Sequence, residues 1–291
     1  MATASDWLAG ARPRTLPAAV APVLVGTGAA AQVDAAHTGR ALLAAGVALA
    51  LQVAVNFAND YSDGVRGTDV DRVGPMRLTA SGTAAPRQVR TAAFAAFGVA
   101  GLLGLWLVAL SGAWWLLAVG VLCVVAAWTY TGGRRPYGYL GLGEVGVFVF
   151  FGLVAVLGTT YVQVGEFTGP SLAASIGIGA LACAILVANN IRDIPTDTVS
   201  GKRTLAVVLG ERGSRTFFIA LLVVALVTVW WLASYTPGAL LGLLAFPWAL
   251  RAATPVARGA RGLGLLPTLR DTGIAELVYA IGIAVGLALG A

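Results

Sequence analysis

Residues 41–72 read ALLAAGVALALQVAVNFANDYSDGVRGTDVDR. The first half of this stretch is apolar, and the second half is rich in Asn, Asp and Arg. An apolar run that ends in carboxylates reads as a helix that crosses a bilayer and brings its polar end to one boundary. If the helix continues through the change, Asn56, Asn59, Asp60 and Asp63 stand at i, i+3, i+4 and i+7, on one face.

The chain as a whole agrees. Its 291 residues are 58% hydrophobic and only 11% charged, with a mean hydropathy of +0.84. A soluble domain carries about 25% charged residues, so this is an integral membrane protein. Apolar runs bounded by polar clusters give nine spans, at 16–33, 41–58, 89–111, 114–131, 141–163, 171–190, 215–235, 238–252 and 274–290. The expected fold class is all-α: a polytopic membrane bundle of nine transmembrane helices in one domain, 1–291. Pro247 interrupts the eighth span. Gly282, Gly286 and Gly290 repeat at i, i+4, the spacing of a surface where helices pack closely in lipid.

The net charge of +6 would suggest nucleic acid in a soluble chain. Here its distribution points elsewhere. With nine spans, eighteen of the nineteen basic residues fall on one side and only Arg40 on the other. The positive-inside rule makes the rich side cytoplasmic, with the N-terminus there and the C-terminus outside. No nucleic-acid partner is expected. The first apolar run is broken by Pro17 and Pro22, and no cleaved signal peptide is expected. Cys123 and Cys183 lie inside apolar runs and read as packed thiols. His37 is the single histidine, so neither a His-based triad nor a His metal cluster can form.

A second acidic cluster closes the sixth span: Asn189-Asn190-Ile191-Arg192-Asp193-Ile194-Pro195-Thr196-Asp197. Asn189, Asp193 and Asp197 share a face if the helix survives Pro195. Two oxygen-rich helix ends on one membrane side suit a hard cation such as Mg²⁺, which favours a few carboxylates together with phosphate oxygens. Each cluster is followed by a basic loop, one with Arg66, Arg72 and Arg77, the other with Lys202-Arg203. Acids beside Arg and Lys are the arrangement expected for a diphosphate. A cation-coupled transporter is the rival from another class, since a duplicated half would also repeat its intramembrane acids.

These paired motifs resemble those of the UbiA-type intramembrane prenyltransferases. Asn59, Asp60 and Asp63 match the family's Asn-Asp-x-x-Asp-x-x-x-Asp, with Gly67 at its last position and Asp69 and Asp71 just beyond. Asp193, Asp197, Gly201, Thr204 and Leu205 match its second motif. Tyr130 to Arg135 is similar to the basic loop after the fourth span. Four segments resemble the branch that prenylates 1,4-dihydroxy-2-naphthoate on the route to menaquinone: Ala11 to Pro17, the run from Asn59 to Asp69, Asp71 to Pro75, and Gly141 to Glu144.

The resemblance implies Mg²⁺-dependent transfer of a polyprenyl group from polyprenyl diphosphate to dihydroxynaphthoate. CO₂ and diphosphate are lost and demethylmenaquinol is formed, in a bacterial cytoplasmic (inner) membrane. It implies Asn59, Asp60, Asp63, Asp193 and Asp197 as metal ligands, with Lys202 beside the four aspartates in the catalytic set. Arg66, Arg72, Arg134, Arg135, Lys202 and Arg203 are the candidates for the diphosphate. Arg12, Tyr61, Tyr130 and Tyr139, near Trp128, are those for the acceptor and the allylic cation. Other acceptors of the family, 4-hydroxybenzoate, heme and chlorophyllide, stay open.

Overall fold

In hydrocarbon every backbone N–H and C=O must find a partner inside its own segment, which drives each apolar run into a helix. The computed structural model describes residues 2–68 and 76–290. A short α1 (Ala4–Ala11) leads into α2 (Leu16–Ala31), α3 (Thr38–Arg66), α4 (Pro86–Ser111) and α5 (Leu116–Thr129). Then follow α6 (Gly143–Val164), α7 (Gly169–Val199), α8 (Leu205–Ala233), α9 (Pro237–Ala257) and α10 (Leu266–Ala288). No strand occurs among the described residues.

The expected count of nine spans is met only in part. Among the described residues seven helices, α3, α4 and α6 to α10, are long and apolar enough to cross a membrane. The span made by α10 runs from Gly262, taking in the short 3₁₀ turn before it. The other two expected spans are α2 and α5, with 16 and 14 residues. At 1.5 Å per residue they reach about 24 and 21 Å, short of a hydrocarbon core of about 30 Å.

Prolines and glycines set the irregularities. Pro247 lies in the first turn of the α-helical half of α9 (Phe246–Ala257), where a missing N–H costs nothing; the half before it, Pro237–Ala245, is 3₁₀. Gly210 (φ 67°, ψ 176°) kinks α8 ahead of its main span. The middle of α6, Phe148–Val154, is π-helical and seats Gly152 against Gly179 of α7. The glycine row of α10 is a packing surface, as expected: Gly282 meets the Leu241 carbonyl, Gly286 that of Gly238, and Gly290 the side chain of Thr236.

Two cores result. The larger one surrounds α7, which is 78% buried along its most apolar window against 33% for α3. There α7 packs on α8, α10 and the π-helical part of α6, and α10 packs on α2. The smaller core joins α3 to α4, with Trp7 of α1 edge-on to Phe57. Between the two cores the loops after α3, α5 and α7 meet at one end of the bundle. Arg40 lies at the opposite end, donating to the carbonyls of Leu110 and Val162 near the ends of α4 and α6. The single arginine expected apart from the others is therefore the one found apart.

Candidate active site

Both acidic motifs end in the same way. α3 keeps its helix to Arg66 and closes on Gly67 at φ 73°, with the Thr68 N–H donating back to the Asp63 carbonyl. α7 runs through Pro195 to Val199, and Gly201 follows at φ 75°. The Lys202 N–H then donates to the Asp197 carbonyl. A left-handed glycine lets each chain turn sharply away from its helix. Gly67 supplies this turn where the general motif has its third acid. The turn after α7 also carries Lys202 across to Asp63 of the first motif.

The third component is the loop between α5 and α6. The Tyr139 carbonyl accepts from the Arg203 N–H, which ties this loop to the one after α7. The Tyr139 hydroxyl donates to Asp63 Oδ1 at 2.5 Å. Lys202 Nζ lies 3.3 Å from Asp63 Oδ2 and 4.9 Å from the centre of the Tyr139 ring. Arg66 stands 5.4 Å from that ring and donates to the carbonyls of Thr131 and Gly133. Burial, and then the neighbouring Asp63 charge, raises the Tyr139 phenol above the ordinary tyrosine range, so it stays a donor at working pH.

The remaining acids are engaged within the chain. Asp60 is 1% exposed and accepts from the Leu78 and Thr79 N–H groups at 2.8 and 2.9 Å. Asp193 takes a two-pronged bond from the adjacent Arg192 at 2.6 and 2.8 Å. Asp197 accepts from the Thr204 hydroxyl, and Asn59 from the Thr131 hydroxyl. Among the described residues no three acidic, histidine or cysteine side chains converge closely enough to hold a metal. The donor set itself is all oxygen, as Mg²⁺ requires.

Below this polar layer lies a cavity of about 800 Å³ bounded by α2 to α6. Its walls are apolar, including Phe150 and Phe151 of the π-helical segment. Its polar side chains are mainly Gln52, Asn56 and Asn59 of α3 with Tyr130 and Tyr137. The α3 face thus divides: the amides border the cavity, while Asp60 and Asp63 bond to the loops. α5 packs on α3 and α4 rather than on α6, although both α5 and α6 line the cavity. At the far end Trp115, just before α5, closes edge-on against Tyr161 of α6 at 5.1 Å. A greasy chamber with acids and cations at its mouth suits a molecule with a diphosphate head and a long apolar tail.

A profile of the UbiA prenyltransferase family matches residues 19–261. The chain belongs to that family. It is 55% identical over 290 residues to a protein of Mycobacterium tuberculosis named 1,4-dihydroxy-2-naphthoate octaprenyltransferase, covering 100% of this chain and 99% of the relative. The Escherichia coli protein of the same name is 37% identical, with 95% and 94% covered. Among solved structures, a UbiA homolog from Archaeoglobus fulgidus bound to GPP and Mg²⁺ superposes with a TM-score of 0.71 at 15% identity, covering 98% of this chain and 99% of that one. The last likeness is one of fold. Membership in a prenyltransferase family displaces the transporter reading.

Within this UbiA prenyltransferase the expected site residues separate into groups. Asn59, Asp63, Arg66, Tyr139 and Lys202 gather at the mouth through the contacts above. Asp197 and the Arg203 backbone join them through the α7–α8 loop. Tyr130 lines the cavity, and Tyr137 packs edge-on to it at 5.4 Å. Tyr61 instead stacks on Trp128 at 6.1 Å, beneath Arg90. Arg134 and Arg135 are exposed on the loop between α5 and α6. Arg72, Asp69 and Asp71 lie outside the described residues. Arg12 adopts a left-handed backbone (φ 54°), and its Nη2 is buried with no hydrogen-bond partner among the described residues.

Sequence reasoning missed three features. Arg192 reads as a topology marker, yet it is 5% exposed and clamps Asp193. Glu144, 4% exposed, accepts from Asn190 one turn before Asp193. Gln52 sits two turns before Asp60 inside an apolar run. Its one signal was that a lone amide in a spanning helix needs a reason to be there.

Proposed function

We propose that this UbiA prenyltransferase transfers a polyprenyl group from polyprenyl diphosphate to 1,4-dihydroxy-2-naphthoate, releasing CO₂ and diphosphate and giving demethylmenaquinol. One observation carries the acceptor: end-to-end identity of 55% with the relative that bears that activity in its name. The site supports the chemistry. Asp60, Asp63, Asp193 and Asp197, with Asn59, would hold Mg²⁺, and their oxygen-only donor set fits it. Bound there, Mg²⁺ would neutralise charge that develops on the departing diphosphate.

The chain's own residues supply the rest. Lys202 and Arg66 stand at the mouth, with Arg134, Arg135 and Arg203 on the loops that meet there for the remaining diphosphate oxygens; Arg72, expected to join them, lies outside the described residues. Tyr130 presents an aromatic face to the cavity, where the allylic carbon gains positive charge as its C–O bond breaks. Apolar walls keep water from capturing that carbon. The acceptor ring forms the new C–C bond, and the electrons of the departing C–CO₂ bond restore its aromaticity. No strong base is needed, which suits a site without histidine. Arg12 is assigned to the acceptor carboxylate, through its unsatisfied Nη2. By the charge rule the mouth faces the cytoplasm, in a bacterial inner membrane.

The test is Mg²⁺-dependent transfer of labelled polyprenyl diphosphate by the purified full chain. Product with dihydroxynaphthoate supports the reading. Product with 4-hydroxybenzoate alone overturns the acceptor. Asp60→Asn and Asp193→Asn should each lower turnover at least 100-fold, about 3 kcal/mol of transition-state stabilisation. Near-normal rates in both variants would overturn the metal assignment.

A further inference from the structure

No residue of α8, α9 or α10 lines the cavity, yet α9 and α10 carry a cluster of charge of their own. Arg251 lies in the α-helical half of α9, about 9 Å along the helix before its end. The Thr268 hydroxyl of α10 donates to the Ala252 carbonyl at 3.1 Å, which holds the two helices side by side there. Asp271 is sealed at this contact, its side chain 3% exposed. Its Oδ1 accepts from Arg270 Nε at 2.8 Å, and Arg251 Nε lies 3.5 Å from its Oδ2. The Arg251 guanidinium also stands 4.8 Å over the Trp248 ring.

One buried carboxylate thus faces two arginines, and one positive charge is left over. The two arginine side chains are 57% and 61% exposed. Asp271 holds each Nε inward and so turns the Nη ends outward. Those terminal nitrogens have no hydrogen-bond partner among the described residues. The neighbouring Arg215 differs: its Nη groups bond to Glu211 and to the carbonyls of Val256 and Ala260, so its donors are used within the chain. Around Arg251 and Arg270 the surface is apolar, with Phe246, Leu250, Leu263 and Leu266 all exposed. A cation on a lipid-facing surface is costly unless its head reaches a polar partner at the headgroup layer, and Trp248 is the residue type that marks that layer. The planar fork of a guanidinium matches two oxygens of a phosphate.

We propose that Arg251 and Arg270, held apart by Asp271 and backed by Trp248, bind the phosphate of an anionic phospholipid. The leftover positive charge favours a lipid with net negative charge over a zwitterionic one, whose own ammonium group it repels. The site is separate from the diphosphate site at the mouth and does not depend on which acceptor the enzyme uses.

The experiment follows the thermal unfolding of the purified full chain in neutral detergent, titrated with phosphatidylglycerol or with phosphatidylcholine of the same acyl chains. The rise in midpoint with lipid gives an apparent Kd for each. Wild type should bind phosphatidylglycerol about tenfold or more tighter. Arg270→Gln leaves Asp271 its Arg251 partner and should lower that preference about threefold or more. The triple variant Arg251→Gln, Arg270→Gln, Asp271→Asn removes the buried acid together with both cations, and should bind the two lipids within about twofold of each other. Arg258→Gln, at an exposed arginine just past the end of α9, should keep the wild-type preference. Each preference is a ratio within one variant, so a change in intrinsic stability does not move it. Equal affinities in wild type, or an undiminished preference in the triple variant, would overturn the inference. So would a loss in Arg258→Gln as large as in Arg270→Gln, because the attraction would then belong to the whole basic face. A rise with inorganic phosphate alone that equals the rise with phosphatidylglycerol would make the ligand a free anion and overturn the lipid assignment.

Discussion

Replacing Lys202 by Met tests the ion pair that joins the two halves of the site. Its Nζ is 3.3 Å from Asp63 Oδ2, and both side chains are more than nine-tenths buried. At an effective dielectric of about 20 the attraction between unit charges at this distance is roughly 5 kcal/mol. Desolvation of both groups offsets much of that, but removing one partner leaves the other charge buried, which costs about 3–5 kcal/mol. Asp63 keeps its bond from Tyr139, so we expect the lower figure, about 3 kcal/mol, for Lys202→Met and a similar loss for Asp63→Asn. The double variant buries neither charge of the pair. Its destabilisation should fall short of the sum of the single losses by about 2 kcal/mol. The assay is reversible unfolding in detergent for wild type, both single variants and the double variant. Additivity within about 0.5 kcal/mol would refute the reasoning, because it would mean that the two side chains do not sense each other.

Other outcomes follow from single contacts. Tyr139→Phe removes the donor to Asp63 but keeps the ring beneath Lys202. We expect a loss of about tenfold in kcat/KM for the polyprenyl donor, corresponding to one charge-assisted hydrogen bond, measured by steady-state transfer. Gly286→Ala should lower stability by more than about 1 kcal/mol, because a Cβ there drives into the Gly238 carbonyl. Gly98→Ala, on an exposed face of α4 with open space around it, should raise stability by up to about 1 kcal/mol; thermal melts of the two variants check the contrast. Gly67→Ala should cost about 1 kcal/mol, since a Cβ is strained at φ 73°, and the same melts measure it.

Much of the architecture was legible because lipid leaves the chain few choices. Scarce charge marks the ends of spans, and scarce acid marks the functional end. The i, i+4 row of Gly282, Gly286 and Gly290 marked a close-packing surface, and the segment Thr236–Gly242 packs on it. The two acidic motifs, with their basic loops, foretold which helix ends would face each other. Two spans came out short, because an apolar run shows where a helix forms but not whether its length matches a bilayer.

Side-chain pairing was a different matter. Asn56, Asn59, Asp60 and Asp63 share one helical face by spacing, yet the amides border the cavity and the acids bond to the loops. That division depends on what packs opposite: the Leu78–Thr79 turn supplies N–H groups to Asp60, and Tyr139 and Lys202, from two distant loops, meet on Asp63. The sequence alone determined that this chain is a helical membrane protein and that two acidic helix ends stand on the side of its spans that holds nearly all its basic residues, because burial of charge in hydrocarbon is too costly to occur by accident. Only the tertiary structure decided which cation sits on which acid and which amide is left with a bare oxygen. The Lys202–Asp63 pair and the Gln52–Thr15 bond join residues 139 and 37 positions apart, and no local pattern encodes them.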